Sequence, residues 1–280
     1  MQNTSNVGDQ FAPVHAAHAI EQVVFTIQVD TPLSDEQLKQ AKEIARQFKN
    51  DADMPGLSDM RGMSFMFGQF GTPPVPEMMA GFVLNRMGPS GVVEKELRVE
   101  RNTLSFMTTR YSRWATILST AWRYIEAFLP IYIERSKLTG VGLNYLDKFI
   151  WDGDASTCNI QRLFREESKY LSAHVFETKD LWHCHTGAFI RPEAHVKRLL
   201  NINVNALDEN PDNASRRVIT ILTVLTDLLN QPGYDKTTLN GQSVGAFVTD
   251  RLSTLHEASK LVLIDLLRNE MSKRISLVRE

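Results

Sequence analysis

The run QVVFTIQV (22–29) is dense in β-branched residues and stops at the Thr31-Pro32 turn signal, which predicts a strand. The period then changes. In SDEQLKQAKEIARQF the apolar positions Leu38, Ala41, Ile44, Ala45 and Phe48 share one helical face. Ser34 stands before that stripe as N-cap, with Gln37 three residues on. This is the spacing of a capping box, in which each side chain bonds the other residue's backbone N–H.

Four strand-like runs follow, separated by glycine and proline: MRGMSFMFG, MAGFVLNRM, GVVEKELRVE and NTLSFMTTR. The GPSG turn (88–91) predicts a hairpin between the middle two. From Ser112 onward Trp114, Ile117, Leu118, Ala121, Trp122 and Ile125 recur at helical spacing, and Pro130 is expected to end or bend that helix. LTGVGLNYLDKFIW (138–151) returns to strand character. The polar, turn-rich stretch after it is the expected linker.

The second half opens with a short helix near IQRLFREES and continues with the strands YLSAHVFE, LWHCHTGAFI and VKRLLNINVNAL. RRVITILTVLTDLL (216–229) fits a helical stripe as well, but its density of β-branched residues favours a buried strand. A final helix is expected from about Val244 to Ile275. Within it LVLIDLL is apolar on nearly every side except Asp265, the pattern of a helix buried on more than one face. The fold class expected is α+β, in two halves, each a largely antiparallel sheet packed with a long helix. The corresponding division is a flexible N-terminal tail over 1–19, an N-terminal half over 20–151, a linker over 152–160 and a C-terminal half over 161–280.

Composition narrows the function classes. With 280 residues, 42% of them hydrophobic and 23% charged, the chain can bury a proper core. A formal net charge of −2 supplies no global positive field, so nucleic-acid binding has no positive support, although a local basic patch stays open. The two cysteines, Cys158 and Cys184, are too few for a disulfide framework and indicate a reducing compartment. The first residues lack a basic start, and no apolar run reaches the roughly 18 residues of a spanning helix. The expectation is a cytoplasmic protein without membrane contact.

DLWHCHTGAF (180–189) raises the question of a metal site. In a strand His183 and His185 point one way and Cys184 the other. With YLSAHVFE as the neighbouring strand, an even loop at Lys179-Asp180 sets His174 opposite His185 and gathers three imidazoles on one face, as a zinc triad requires. An odd loop sets His174 opposite Cys184 and breaks the cluster. The sequence supplies neither a fourth ligand nor a general base, so solvated histidines on a sheet face are the preferred reading.

GQSVG (241–245) matches a nucleophile elbow in letters, but a polar loop precedes Ser243 where a strand is required. Ser243 is better placed as a helix N-cap. Asp152 and Asp154 start like a calcium loop that then fails, with Thr157 at the turn glycine's position and Leu163 at that of the bidentate acid. Phosphate-loop, dinucleotide-turn and HExxH motifs do not occur.

Four stretches carry a resemblance: AIEQVVFTIQV, the tryptophan-bearing helix feeding LTGVGLNYLDKF, VKRLLNINVNAL, and LSTLHEASKLVLIDLL. Together they resemble a sporadically distributed bacterial family of α+β proteins without an established activity, over about residues 20–277. Asn144 stands where that family commonly has an arginine before the tyrosine, here Tyr145. The resemblance transfers no catalytic residue, and the family's patchy distribution implies an accessory role such as mobile-element or phage-defence work. The reading that results is a non-enzymatic binding or assembly protein without a cofactor, working with a protein partner or by self-association. Tyr145, His256 and the closing helix are its candidate surface. The alternative is a metal-dependent hydrolase holding zinc through His174, His183 and His185.

Overall fold

A computed structural model of the chain describes residues 10–50, 53–62, 78–209, 216–229 and 242–277. Strands β1 (Phe11–Pro13) and β2 (Ile20–Val29) precede helix α1 (Asp35–Asn50). Then come β3 (Gly56–Gly62), β4 (Met78–Met87), β5 (Val93–Glu100), β6 (Thr103–Thr108) and helix α2 (Trp114–Tyr132). After β7 (Leu138–Trp151) follow the one-turn helix α3 (His174–Glu177), β8 (Trp182–Glu193), β9 (Val196–Glu209) and β10 (Arg216–Leu229). Helices α4 (Val244–Leu266) and α5 (Asn269–Arg274) close the described chain. The fold is α+β with a large antiparallel sheet. Hydrogen bonding orders its strands β3-β4-β5-β6-β2-β7-β10-β9-β8, and β1 pairs separately with β7.

The chain forms two compact units. One contains the described parts of Met1–Val23, Gly142–Leu228 and Arg251–Glu280, and the other Val24–Val141 and Leu229–Asp250. In the second unit α1 starts where the sequence places it. Ser34 N donates to Gln37 Oε1 at 3.0 Å, and Gln37 N donates to Ser34 Oγ at 3.2 Å. Leu38, Ala41 and Ala45 are buried on the resulting face. The β4–β5 hairpin turns through Gly88 and Gly91. Gly91 has φ +74°, a left-handed conformation that glycine adopts without steric penalty. MRGMSFMFG contributes Met60–Gly62 to β3, and the rest of that run lies outside the described residues.

Phe82, Phe106, Tyr124 and Phe128 fill this unit's core. Tyr124 stacks on Phe106 at 5.1 Å, and Phe82 meets Phe128 at 6.4 Å. Pro130 lies inside α2, which ends two residues later at Tyr132. A proline so close to a helix terminus removes only a late hydrogen bond.

The stretch 138–151 is strand throughout its length, as is 216–229, and both alternate buried and half-buried residues along their later parts. Within the stretch expected to be a tail, Phe11–Pro13 pair with Phe149–Trp151, and Phe11 is buried against the Trp151 ring at 5.0 Å.

Three expectations are corrected here. YLSAHVFE contains a helical turn at His174–Glu177, not a strand; Thr178 N donates back to His174 O at 3.2 Å, so the backbone bonds locally and makes no ladder. IQRLFREES yields only a 3₁₀ turn over Ile160–Arg162. The last helix breaks at Leu267-Arg268. There Arg165 N donates to Leu266 O, Arg268 N donates to Leu163 O, and Leu267 bridges to Phe164, so inter-segment bonding replaces the helical ladder. Before the break Val262, Leu263 and Leu266 are buried, whereas Leu261 is exposed.

Candidate functional site

The three candidate histidines do not come together. His174 is exposed on α3, its Nδ1 2.9 Å from Ser172 Oγ, and the strand paired with β8 is β9. His183 and His185 share the exposed face of β8, opposite Asn205 and Asn203 of β9. No group of three His, Cys, Asp or Glu side chains suited to a metal ion occurs among the described residues. The triad depended on a strand at 170–177, and the helical turn there removes its geometry.

The other motifs resolve into caps. Ser243 Oγ accepts from Ala246 N at 3.1 Å at the start of α4. Asp154 accepts from Ser156 Oγ at 2.6 Å and from Ser156 N at 2.8 Å, which together hold its carboxyl below the usual range, and Asp152 accepts from Gln10 N at 2.6 Å.

Polar groups do concentrate in the first unit's interior. The β-strand period sets Tyr145 and Asp147 of β7 on one face, both buried. The Tyr145 hydroxyl lies 2.9 Å from His256 Nδ1 on α4. Burial drives the His256 pKa down to about 4, with Lys260 adding to the effect and Glu257 opposing it. Neither Asp147 oxygen has a hydrogen-bond partner among the described residues, and burial raises its pKa to about 7. Nearer the β8–β9 turn, Arg198 and Asp227 form a buried pair, and Arg251 joins Glu193 at 2.6 Å. Such interior groups shape the fold around them and are screened from a dissolved substrate.

The accessible feature is β8 itself. It ends the strand order, and no strand pairs its outer edge among the described residues. From Gly187 to Glu193 every residue is exposed, with Phe189 at 57% and Ile190 at 44%. Those two neighbours point to opposite faces of the strand. Lys197 Nζ lies 4.2 Å from the Phe189 ring centroid, a cation–π contact that leaves the ring's rim in solvent.

The edge is blunted only at its far end, by a register shift between Ile190 and Glu193 and by Pro192. The run Thr186–Ile190 carries no proline and no charge. Sequence reasoning missed this because a strand's place at the end of a sheet leaves no mark on its own residues. No helix among the described residues is long and apolar enough to cross a membrane.

No protein-family model matches the chain, and no curated protein matches it in sequence.

Proposed function

We propose that the protein is a binding or assembly protein that receives an extended segment of a partner protein along the outer edge of β8. One observation carries this reading: an edge strand that no other strand pairs over Thr186–Ile190 among the described residues, with two large apolar side chains, Phe189 and Ile190, exposed. An added strand satisfies the backbone and covers those side chains, each worth about 1.5–3 kcal/mol when fully buried. His183, His185 and the asparagines of β9 then supply hydrogen-bonding groups beside the docked segment.

A two-half plan belongs to the same reading. Outward from β2 the order is β6, β5, β4, β3, and outward from β7 it is β10, β9, β8. In each set the first strand in the chain neighbours the last, and a long helix follows. An accessory role in mobile-element or phage-defence work, as the family resemblance implies, fits a protein whose chemistry is recognition.

The test is a photo-reactive phenylalanine analogue in place of Phe189, expressed in the native host. The expected result is one dominant cross-linked species, a second copy or one other protein, lost when Ile190→Asp is added. A strictly monomeric protein in sedimentation, together with no cross-linked product, sinks the proposal.

A further inference from the structure

The docking edge of β8 carries the complement of its own sequence. We infer that the segment received along Thr186–Ile190 is the same segment of a second copy of this chain, paired antiparallel about a two-fold axis at Ala188. This rests on the reading of β8 as a docking strand and names its occupant. A two-fold axis perpendicular to a sheet preserves the two faces, so residues set opposite one another lie an even number of positions apart. One residue must therefore face its own copy.

With the axis at Ala188, Phe189 stands opposite the second copy's Gly187, and Ile190 stands opposite its Thr186. Each large exposed side chain then meets a small or β-branched residue on its own face, and no charged residue enters the ladder. An aromatic ring across from a glycine covers backbone that the glycine leaves bare. The adjacent registers are worse. An axis at Gly187 sets Ile190 against the buried Cys184 and Arg191 against His183. An axis at Phe189 brings Pro192, which has no N–H to donate, into the ladder opposite Thr186. A foreign strand would have to bring its own small residue for Phe189 and its own β-branched residue for Ile190, and this chain already holds both at the right spacing.

The pairing also closes. Pro192 and the register shift between Ile190 and Glu193 stop the ladder on one side, and symmetry stops it identically on the other. Each copy spends its one β8 edge on the other, so no third strand can follow. An uncharged, proline-free edge is otherwise a template for open-ended strand addition, which native sheets avoid.

A ladder this short belongs to the weak, transient class of interface, so sedimentation of the full chain is run up to about 100 μM. A monomer–dimer equilibrium is expected. Ile190→Asp is expected to weaken it at least about tenfold, with an unchanged thermal midpoint. Register is read by oxidising Ala188→Cys. Opposed Cα atoms lie about 4.5–5.5 Å apart, within the roughly 4.4–6.8 Å that a disulfide spans. Thr186→Cys is the control, since its copy lies four positions along the ladder, roughly 13 Å away. Ala188→Cys is expected to form covalent dimer at least about tenfold faster than Thr186→Cys, with the parent chain, which holds Cys158 and Cys184, as baseline. Should Ala188→Cys disturb β8, sedimentation of the parent and of Ile190→Asp decides alone. A monomer throughout, a dimer indifferent to Ile190→Asp, or equal cross-linking at the two cysteines would overturn the inference. A monomer whose position 189 cross-links to a different protein overturns the second copy as occupant while leaving the docking edge in place. A monomer with no cross-link at all removes both.

Discussion

Arg198 and Asp227 hold each other in the interior of the first unit. Arg198 Nε donates to Asp227 Oδ1 at 2.6 Å and Nη2 donates to Oδ2 at 2.9 Å, with the two residues 5% and 0% exposed. The pair joins β9 to β10. Arg251 on α4 lies 3.7 Å from the same carboxylate while donating to Glu193 at the end of β8. The strand with the open edge is thus tied at one end to a buried ionic network.

Breaking that network leaves a charge buried without its partner. Asp227→Asn or Arg198→Met is expected to lower unfolding stability by about 3–5 kcal/mol, read from urea denaturation. Amide exchange should speed up in the β8–β9 hairpin before it does so in β7. Replacing both residues with apolar ones of similar volume is expected to recover much of the loss, since the penalty arises from the orphaned charge.

Asp147 makes stability fall as pH rises from the ordinary carboxylate range to about 7. Its folded pKa of about 7 lies above the ordinary 3.8, so the native state keeps a proton that the unfolded chain has released. The associated stability is whole below the unfolded value and disappears as pH rises through 7, a loss on the order of 4 kcal/mol. Asp147→Asn is expected to remove this decline and to be more stable than the parent at about pH 8, as measured by denaturant midpoints across pH.

His256 acts on the acid side with the opposite sign. Its folded pKa, about 4, lies below the ordinary 6.5, so on acidification the unfolded chain takes up a proton before the native state does. Stability is retained above 6.5 and lost as pH falls toward 4. His256→Gln is expected to flatten the acid limb, and Tyr145→Phe to lower stability by about 1 kcal/mol through the lost hydrogen bond.

Gly81 on β4 admits no side chain. A Cβ there would stand 2.1 Å from the Val99 carbonyl oxygen on the paired strand, and a backbone atom cannot swing aside. Gly81→Ala is expected to cost about 2 kcal/mol or more and to raise exchange in β3 and β4 first. Ser34→Ala, which removes one arm of the α1 capping box, is expected to cost about 1 kcal/mol. Thermal denaturation of the two variants gives the ranking.

Local pattern determined a good deal of this protein. The capping box at Ser34 and Gln37, the turn at Gly88–Gly91 and β7 over 138–151 follow from periodicity and turn chemistry among neighbours in the chain, whereas for β10 over 216–229 periodicity left helix and strand open and the density of β-branched residues favoured the strand. Sequence also placed Ser243 as a helix cap, because a cap needs only residues three positions away. Tertiary structure decided everything that depended on distant segments. It folded 174–177 into a helical turn and so parted His174 from His183 and His185. It broke the last helix on the backbone of Leu163–Phe164, and it set β8 at the end of the strand order. Which edge of a sheet stays open, and which charges lose their water, are properties of the assembled chain, because both are set by which distant backbone and side chains arrive alongside.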